Sequence, residues 1–223
     1  DVPGFDVAGR CLPANHVGGD HFTYHWFDGE HPRLGIIISD VAGHEMQAAM
    51  TVMRFSEVLH FTMGDRQTPE SILSALNHSV RERVERRMFI TACAGVVDLV
   101  EGSLTVSNAG HPPAYHRHGH DGIVTEIGGA GYPLGMRETA VYTEATVQLE
   151  SGDVVVFYTD GLYEARNHDE QEYGFDRLQE IVRKAGNADT AEEILELILA
   201  DIRGFLGDIP HEDDMTIVVL RKG

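Results

Sequence analysis

Basic residues are scarce in this chain of 223 residues. Lysine and arginine number 17 against 36 aspartates and glutamates, so the formal net charge at pH 7 is −19 with histidine neutral. A surface of this sign repels the phosphate backbone of nucleic acids and the headgroups of anionic membranes. We therefore expect neither a nucleic-acid partner nor insertion into a membrane.

Long apolar segments and cysteines are also few. The longest apolar runs, at 34–39 and 154–158, are far shorter than the roughly 20 residues that span a bilayer. Cys11 and Cys93 are too few for a disulfide framework and indicate a reducing compartment. The expected location is therefore the cytoplasm.

A single globular domain over 1–223 accounts for the length and for the apolar content of 42%. The sequence opens at Asp1 without a methionine or a signal peptide, and strand-like patterns begin almost at once. We expect this domain to be the C-terminal part of a longer regulatory protein.

Strand and helix patterns do not alternate regularly along the chain. Short apolar or alternating runs predict strands at 5–12, 21–27, 33–39, 89–99, 104–107, 114–117, 123–127, 140–149, 154–159 and 215–220. Apolar residues at helical spacing predict helices at about 46–60, 69–86, 175–184 and 191–206. Gly64 is read as the break after the first helix, and Thr68 as the cap of the second. Strands at both ends with two helices in each half favour an α+β layered sandwich over a doubly wound parallel sheet.

Several aspartates fall at the ends of predicted strands, beside glycine or a tight turn. They are Asp20 after Gly18-Gly19, Asp40 after strand 33–39, Asp160 before Gly161, and the pair Asp213-Asp214 before the last strand. Mg²⁺ and Mn²⁺ prefer several oxygen ligands, and two such cations can clamp a phosphoryl group during in-line displacement. A single Asp-Gly is ordinary turn chemistry, so the prediction of a metal site depends on the joint arrangement.

Six ordered motifs make that arrangement specific. They are Leu12-Pro13-Ala14 with Val17-Gly18-Gly19-Asp20; Ser39-Asp40-Val41-Ala42-Gly43-His44 with Ala48-Ala49-Met50; Ser107-Asn108-Ala109-Gly110-His111-Pro112-Pro113; Pro133-Leu134-Gly135; Tyr158-Thr159-Asp160-Gly161-Leu162-Tyr163-Glu164-Ala165; and Asp213-Asp214-Met215-Thr216. Over nearly the whole chain, this order resembles the SpoIIE/RsbU-type branch of the metal-dependent (PPM, type 2C) serine/threonine protein phosphatases. The resemblance implies a sandwich of two antiparallel β-sheets flanked by helices, with a site for two Mn²⁺ or Mg²⁺ ions between the sheets.

The resemblance also implies roles for individual residues. Asp40 would bridge the two cations, and the backbone carbonyl of Val41 would ligate one of them. Asp160 and Asp213 would ligate the other cation, whereas Asp20 would be a ligand or act through metal-bound water. A metal-activated hydroxide would attack the phosphorus of phosphoserine or phosphothreonine directly, without a phosphoenzyme.

Three positions depart from the family pattern or leave a role open. Asp214 adjoins the matching position and could support the site instead of Asp213 or beside it. Thr23 stands where a carboxylate is common, and Glu45 stands where a glycine is common. A glutamate would be strained in a loop that needs positive φ, but it is favourable at the start of a helix, which is the interpretation that we prefer for Glu45.

Further expectations follow from the resemblance alone. The protein substrate would be an anti-sigma-factor antagonist in a bacterial stress or developmental signalling pathway. An upstream sensory or regulatory domain would control the activity, and a homodimer is allowed. Two competing interpretations stay open: a non-catalytic relative that binds a phosphorylated protein, and a hydrolase of small phosphate esters.

Histidines outside these aspartate motifs carry a weaker signal. His116, His118 and His120 alternate in the way that a metal-binding strand would require, but we interpret them as a polar hairpin arm that leads into the turn at 121–122. His111, beside two prolines, is expected to shape its loop rather than to transfer protons.

Overall fold

The computed structural model describes residues 2–16, 18–27, 32–42, 45–83 and 89–223. Within these ranges the strands are β1 (Phe5–Leu12), β2 (Asp20–Phe27), β3 (Arg33–Val41), β4 (Ile90–Asp98), β5 (Ser103–Ala109), β6 (Ala114–Arg117), β7 (Val124–Ile127), β8 (Glu144–Gln148), β9 (Val154–Tyr158) and β10 (Met215–Lys222). The helices are α1 (Glu45–Asp65), α2 (Pro69–Arg83), α3 (Phe175–Ala185) and α4 (Ala191–Leu206), with a 3₁₀ turn at Asp160–Leu162. Val17, Gly43 and His44 of the sequence motifs lie outside the described residues.

The strands form two antiparallel sheets of five strands each. Sheet I has the order β1-β10-β9-β6-β7, and sheet II has the order β2-β3-β4-β5-β8. Every pairing within these sheets is antiparallel. The predicted α+β sandwich with flanking helices is therefore confirmed.

Three apolar cores divide the molecule into four layers. One core lies between the sheets, a second lies between sheet II and the pair α1 and α2, and a third lies between sheet I and the pair α3 and α4. The run at 36–38 serves two of these cores, because successive residues of a strand face opposite sides. Ile36 and Ile38 face sheet I, whereas Ile37 packs against α1 and α2.

The predicted break at Gly64 is wrong, because α1 continues to Asp65. Phe55, Leu59 and Met63 extend its buried stripe up to the glycine and hold the last turn against the core. Gly64 is exposed and has no neighbouring atom within 4 Å of where a Cβ would lie. An isolated exposed glycine costs a helix only about 1 kcal/mol relative to alanine, which this packing outweighs.

Other predicted boundaries shift by smaller amounts. The strand predicted at 140–149 is confined to Glu144–Gln148, since Tyr142 leaves the sheet and packs in the core beside α1 and α2. The described part of α2 ends at Arg83. The predicted end of this helix, at 86, lies outside the described residues. The predicted cap is confirmed, because the Thr68 hydroxyl accepts a hydrogen bond from the Ser71 N–H at 3.3 Å.

Helices long and apolar enough to cross a membrane are absent from the part of the chain that the structure describes.

Phe157 fixes the spacing of the two sheets below the aspartates. Its side chain is only 1% exposed in the core between the sheets, and Gly95 of sheet II leaves room for the ring. Truncation in such a core removes apolar contacts and leaves a cavity. The ring therefore acts as a spacer between β9 and β4.

We expect Phe157→Ala to lower the free energy of unfolding by about 3–5 kcal/mol, as for other buried aromatic truncations. Urea unfolding followed by circular dichroism measures this loss. Phe61→Ala is the matched control, because Phe61 is 68% exposed and its removal should change stability by less than about 0.5 kcal/mol. Equal losses in the two variants would contradict the role of Phe157 as a spacer.

Candidate functional site

Two aspartates of sheet II lie directly opposite each other at one end of the sandwich. Asp20 begins β2 and pairs in register with Asp40 of β3. Asp40 continues the face of β3 that carries Ile36 and Ile38, so its side chain is directed between the sheets. Directly opposed side chains of antiparallel strands have Cβ atoms about 4.5–5.5 Å apart, and like charges at this spacing repel.

Sheet I supplies two further aspartates at the same end. Asp160 opens the 3₁₀ turn that follows β9, and Asp213 lies two residues before the start of β10 at Met215. These strands are neighbours, and the backbone N–H of Thr159 donates to the carbonyl of Thr216 at 3.0 Å where they meet. The charges of Asp160 and Asp213 both act on Asp40 across the gap between the sheets. The structure thus places all four aspartates that the sequence nominates at the same end of the sandwich.

Thr159 links the two halves of this cluster. Its hydroxyl donates to Oδ2 of Asp20 at 2.7 Å and accepts from the backbone N–H of Thr216 at 2.9 Å. Thr159 is fully buried. It continues the alternation of Val155 and Phe157 on the inter-sheet face of β9, but no local sequence pattern predicts its contact with Asp20.

Asp214 is directed toward the segment that leads into β2. Its carboxylate accepts backbone hydrogen bonds from Ala14 at 2.8 Å, from Gly19 at 2.6 Å and from Asp20 at 3.3 Å. A Cβ at Gly18 would collide with the same carboxylate. These contacts favour the supporting role for Asp214, because its oxygens already hold the Gly18-Gly19 segment in place.

The Gly18-Gly19 segment also holds the backbone of Val41 in place. Its backbone N–H donates to the carbonyl of Gly19 at 3.1 Å, which ties the end of β3 to the start of β2. Its side chain is buried against α1 and α2. The carbonyl predicted as a ligand therefore belongs to a residue that is fixed on both sides.

Burial and mutual repulsion change the acidity of the aspartates. Burial raises the pKa of Asp40 to about 7, and the charges of Asp160, Asp213 and Asp214 contribute to that rise. Burial likewise raises the pKa of Asp20 to about 8, although the hydrogen bond from Thr159 opposes the increase. Burial and the charge of Asp213 raise the pKa of Asp160. Partly buried carboxylates with this mutual repulsion are a donor set that suits a hard divalent cation.

The two departures from the family pattern leave the cluster intact. Thr23 pairs with Ile37, whose side chain faces α1 and α2, so Thr23 lies on the face of β2 opposite to the cluster. Helix α1 begins at Glu45, as the preferred interpretation of that residue predicts.

His111 lies near the cluster but is poorly suited to proton transfer. Its Nδ1 is 2.9 Å from the hydroxyl of Thr91, and Asn108 hydrogen-bonds its backbone N–H and carbonyl at 2.9 and 2.8 Å. Burial lowers the pKa of His111 to about 3. The ring is therefore neutral near pH 7 and fits the expected role in shaping its loop.

A second group of ligand-type side chains lies elsewhere in the sandwich. β6 and β7 form a hairpin, as expected from the polar arm. Within the described ranges, His116, His118 and Asp153 are the one set of three histidine, cysteine or acidic residues whose ligand atoms all lie within 4.8 Å of one another. Asp153 lies 37 positions from His116, so no local sequence pattern connects the two residues.

Comparisons with known proteins agree with this architecture. Residues 30–223 match the family model described as Stage II sporulation protein E (SpoIIE). The chain is 27% identical over 220 residues to the phosphoserine phosphatase RsbU of Bacillus subtilis, covering 97% of this chain and 63% of RsbU. The chain thus spans less than two thirds of that relative.

Two solved structures have the same fold. The RsbU and RsbW domains of Rv1364c from Mycobacterium tuberculosis superpose with a TM-score of 0.82 at 24% identity, over 99% of this chain and 60% of that one. The SiaA-PP2C domain of Pseudomonas aeruginosa gives a TM-score of 0.81 at 24% identity, over 96% of this chain and 84% of that one.

Residue 161 must be glycine for the aspartate cluster to keep its geometry, because a Cβ there would collide with the backbone carbonyl of Asp214. Gly161→Ala should displace the segment that carries Asp213, lower stability by about 1–3 kcal/mol and weaken Mn²⁺ binding. Gly204→Ala in α4 is the matched control, since no atom lies within 4 Å of its added Cβ. Urea unfolding and calorimetric titration with Mn²⁺ measure both effects. Identical behaviour of the two variants would show that the close approach at Gly161 is unimportant.

The stability of the metal-free protein should depend on pH through Asp20 and Asp40. Their pKa values, about 8 and about 7, lie above the ordinary aspartate value, so the folded state retains protons that the unfolded state loses. This contribution to stability is complete below about pH 4 and is lost as the pH rises to about 8.

Asp40→Asn removes one of these ionisations. The free energy of unfolding of the variant should therefore increase relative to that of the parent as the pH rises. Urea unfolding at about pH 5 and about pH 8, with chelator present, tests this. A difference between the two proteins that does not change with pH would contradict it.

Proposed function

This chain belongs to the SpoIIE family, and we propose on that basis that it is a metal-dependent phosphatase of phosphoserine or phosphothreonine in a protein. The observation that carries the proposal is the meeting of Asp20, Asp40, Asp160 and Asp213 at one end of the sandwich. The similarity to RsbU, which is named a phosphoserine phosphatase, supports it.

In this proposal the cluster holds two Mn²⁺ or Mg²⁺ ions. Asp40 would bridge them, the carbonyl of Val41 would ligate one, and Asp160 and Asp213 would ligate the other, with Asp20 as a ligand or a partner of bound water. The raised pKa values of Asp20 and Asp40 support this role, because bound cations would stabilise the ionised carboxylates. When bound, the cations supply a lowered pKa for water and a positive clamp on the phosphoryl group.

The other residues of the site prepare it for this chemistry. Thr159 orients the carboxylate of Asp20, and Asp214 fixes the Gly18-Gly19 segment through backbone hydrogen bonds. Since the chain carries a net charge of −19, its overall field opposes a phosphorylated substrate, and bound cations would reverse the sign of the charge at the cluster.

The two thiols are unsuited to replace a metal-dependent mechanism. Burial raises the pKa of Cys93 to about 12, and burial also raises the pKa of Cys11. A thiolate nucleophile needs the opposite shift. Both thiols are free, which agrees with the proposed cytoplasmic setting.

For the substrate we propose an anti-sigma-factor antagonist carrying a phosphoserine. The support is similarity to RsbU and to a structure described as containing RsbU and RsbW domains. These relatives are longer than this chain, which supports an additional regulatory domain in the complete protein. A homodimer is a further arrangement that the proposal allows.

The competing non-catalytic interpretation rests on Thr23 and Glu45. Thr23 lies on the helix-facing side of β2, so its substitution for a carboxylate takes no ligand from the cluster. Glu45 begins a helix. Neither departure weighs against an active enzyme.

The test is phosphate release from a serine-phosphorylated antagonist protein with Mn²⁺ or with chelator. Asp40→Asn should reduce release at least about 100-fold because it removes the bridging carboxylate. Asp189→Asn is the control of equal charge change, since Asp189 is exposed and distant in sequence from the cluster.

Three outcomes separate the interpretations. Undiminished release in Asp40→Asn or in chelator would overturn the proposal. Binding of the phosphoprotein without release would support the non-catalytic alternative. Faster turnover of free phosphoserine than of the phosphoprotein would indicate a small-molecule hydrolase.

A further inference from the structure

His116, His118 and Asp153 lie at the end of the sandwich opposite to the aspartate cluster. β6 runs antiparallel to β9, with Arg117 opposite Val154, so His116 lies beside the start of β9. Asp160 follows the other end of β9. At about 3.3 Å per residue, the seven residues from Asp153 to Asp160 separate the two sites by roughly 20 Å.

The three side chains converge on a small volume. Nε2 of His116 is 2.8 Å from Oδ2 of Asp153, and the ring centroids of His116 and His118 are 4.2 Å apart. One ligand atom from each residue lies within 4.8 Å of the other two. His116 and Asp153 are buried, whereas His118 is half-buried, so an ion can reach the group from the side of His118.

Backbone contacts hold the group in place. Oδ1 of Asp153 accepts from the N–H of Gly119 at 2.7 Å, and Oδ2 accepts from the N–H of Glu150 at 3.0 Å. The N–H of His118 donates to the carbonyl of Ile123 at 2.8 Å, which closes the loop of the hairpin. Because backbone hydrogen bonds fix both Asp153 and the hairpin loop, binding would require little rearrangement of the backbone.

The donor set indicates which cation would bind. Two imidazole nitrogens and one carboxylate oxygen are typical ligands of Zn²⁺, whereas Mg²⁺ and Mn²⁺ prefer oxygen. Three protein ligands leave a fourth tetrahedral position for water or for His120, whose ring centroid is 5.9 Å from that of His118. This chemistry differs from that of the all-oxygen aspartate cluster.

We propose that His116, His118 and Asp153 form a zinc site that joins the β6–β7 hairpin to the turn before β9. Zinc would take the place of the hydrogen bond between Nε2 of His116 and Oδ2 of Asp153, with these two atoms and a ring nitrogen of His118 as its ligands. The role is structural, because the site lies at the far end of the sandwich from the proposed phosphatase centre. The inference does not depend on that centre being active.

The experiment is a calorimetric titration of the protein with Zn²⁺ in the presence of excess Mg²⁺, which occupies oxygen sites without competing for imidazole. We expect His118→Ala to lose one binding event per chain or to weaken it at least about tenfold. His118 is the residue of choice because removing it leaves the buried hydrogen bond between His116 and Asp153. His78→Ala is the control, since the His78 side chain is 76% exposed on α2.

Two further measurements distinguish zinc bound at this site from zinc bound nonspecifically by exposed histidines. Co²⁺ bound at this site should give the intense visible absorption of four-coordinate cobalt in the parent and in His78→Ala, but not in His118→Ala. Zn²⁺ should raise the melting temperature of the first two proteins and not of the third. The metal-free melting temperature of His118→Ala checks that it folds, and His118→Gln replaces it if it does not.

The proposal is overturned if the parent and His118→Ala bind Zn²⁺ alike, or if His78→Ala loses as much binding as His118→Ala. In either case His116 and Asp153 are a buried hydrogen-bonded pair only. None of these readouts uses phosphatase activity, so failure here and failure of the proposed function are distinguishable.

Discussion

The register of β2 against β3 places two aspartates face to face, and the candidate phosphatase site depends on this one pairing. The ionised carboxylates of Asp20 and Asp40 repel each other there, and burial further disfavours their ionisation. Ile36 and Ile38 stabilise the register by burying the same face of β3 between the sheets. A slip of one residue would turn these isoleucines and Asp40 toward the helices, so the apolar core fixes the position of the charges.

Much of the fold could be predicted from local patterns. β1, β6 and α4 have their predicted bounds because apolar periodicity and turn residues agree at both ends of each. The end of α1 could not be predicted in this way, since Gly64 is a helix breaker by propensity and its tolerance depends on tertiary packing of the preceding turns. Local propensity thus located the elements, and contacts between layers decided where they end.

The site was predictable as a set of residue types but not as a set of contacts. The strand-end aspartates and the ordered motifs nominate Asp20, Asp40, Asp160 and Asp213. The contacts of Asp214 with the segment before β2 span about 200 positions of sequence, and no local pattern reports them. The same holds for Thr159 with Asp20 and for Asp153 with His116, because each pair meets only after distant strands have paired.

The aspartate cluster is divided between the two sheets, and this division has a consequence for incomplete folding. Sheet II carries Asp20 and Asp40, sheet I carries Asp160 and Asp213, and Thr159 joins the halves. A chain in which only one sheet has formed holds only half of the carboxylates. Nascent chains and locally opened molecules therefore lack the complete centre, and whatever chemistry it performs is restricted to molecules whose whole sandwich has assembled.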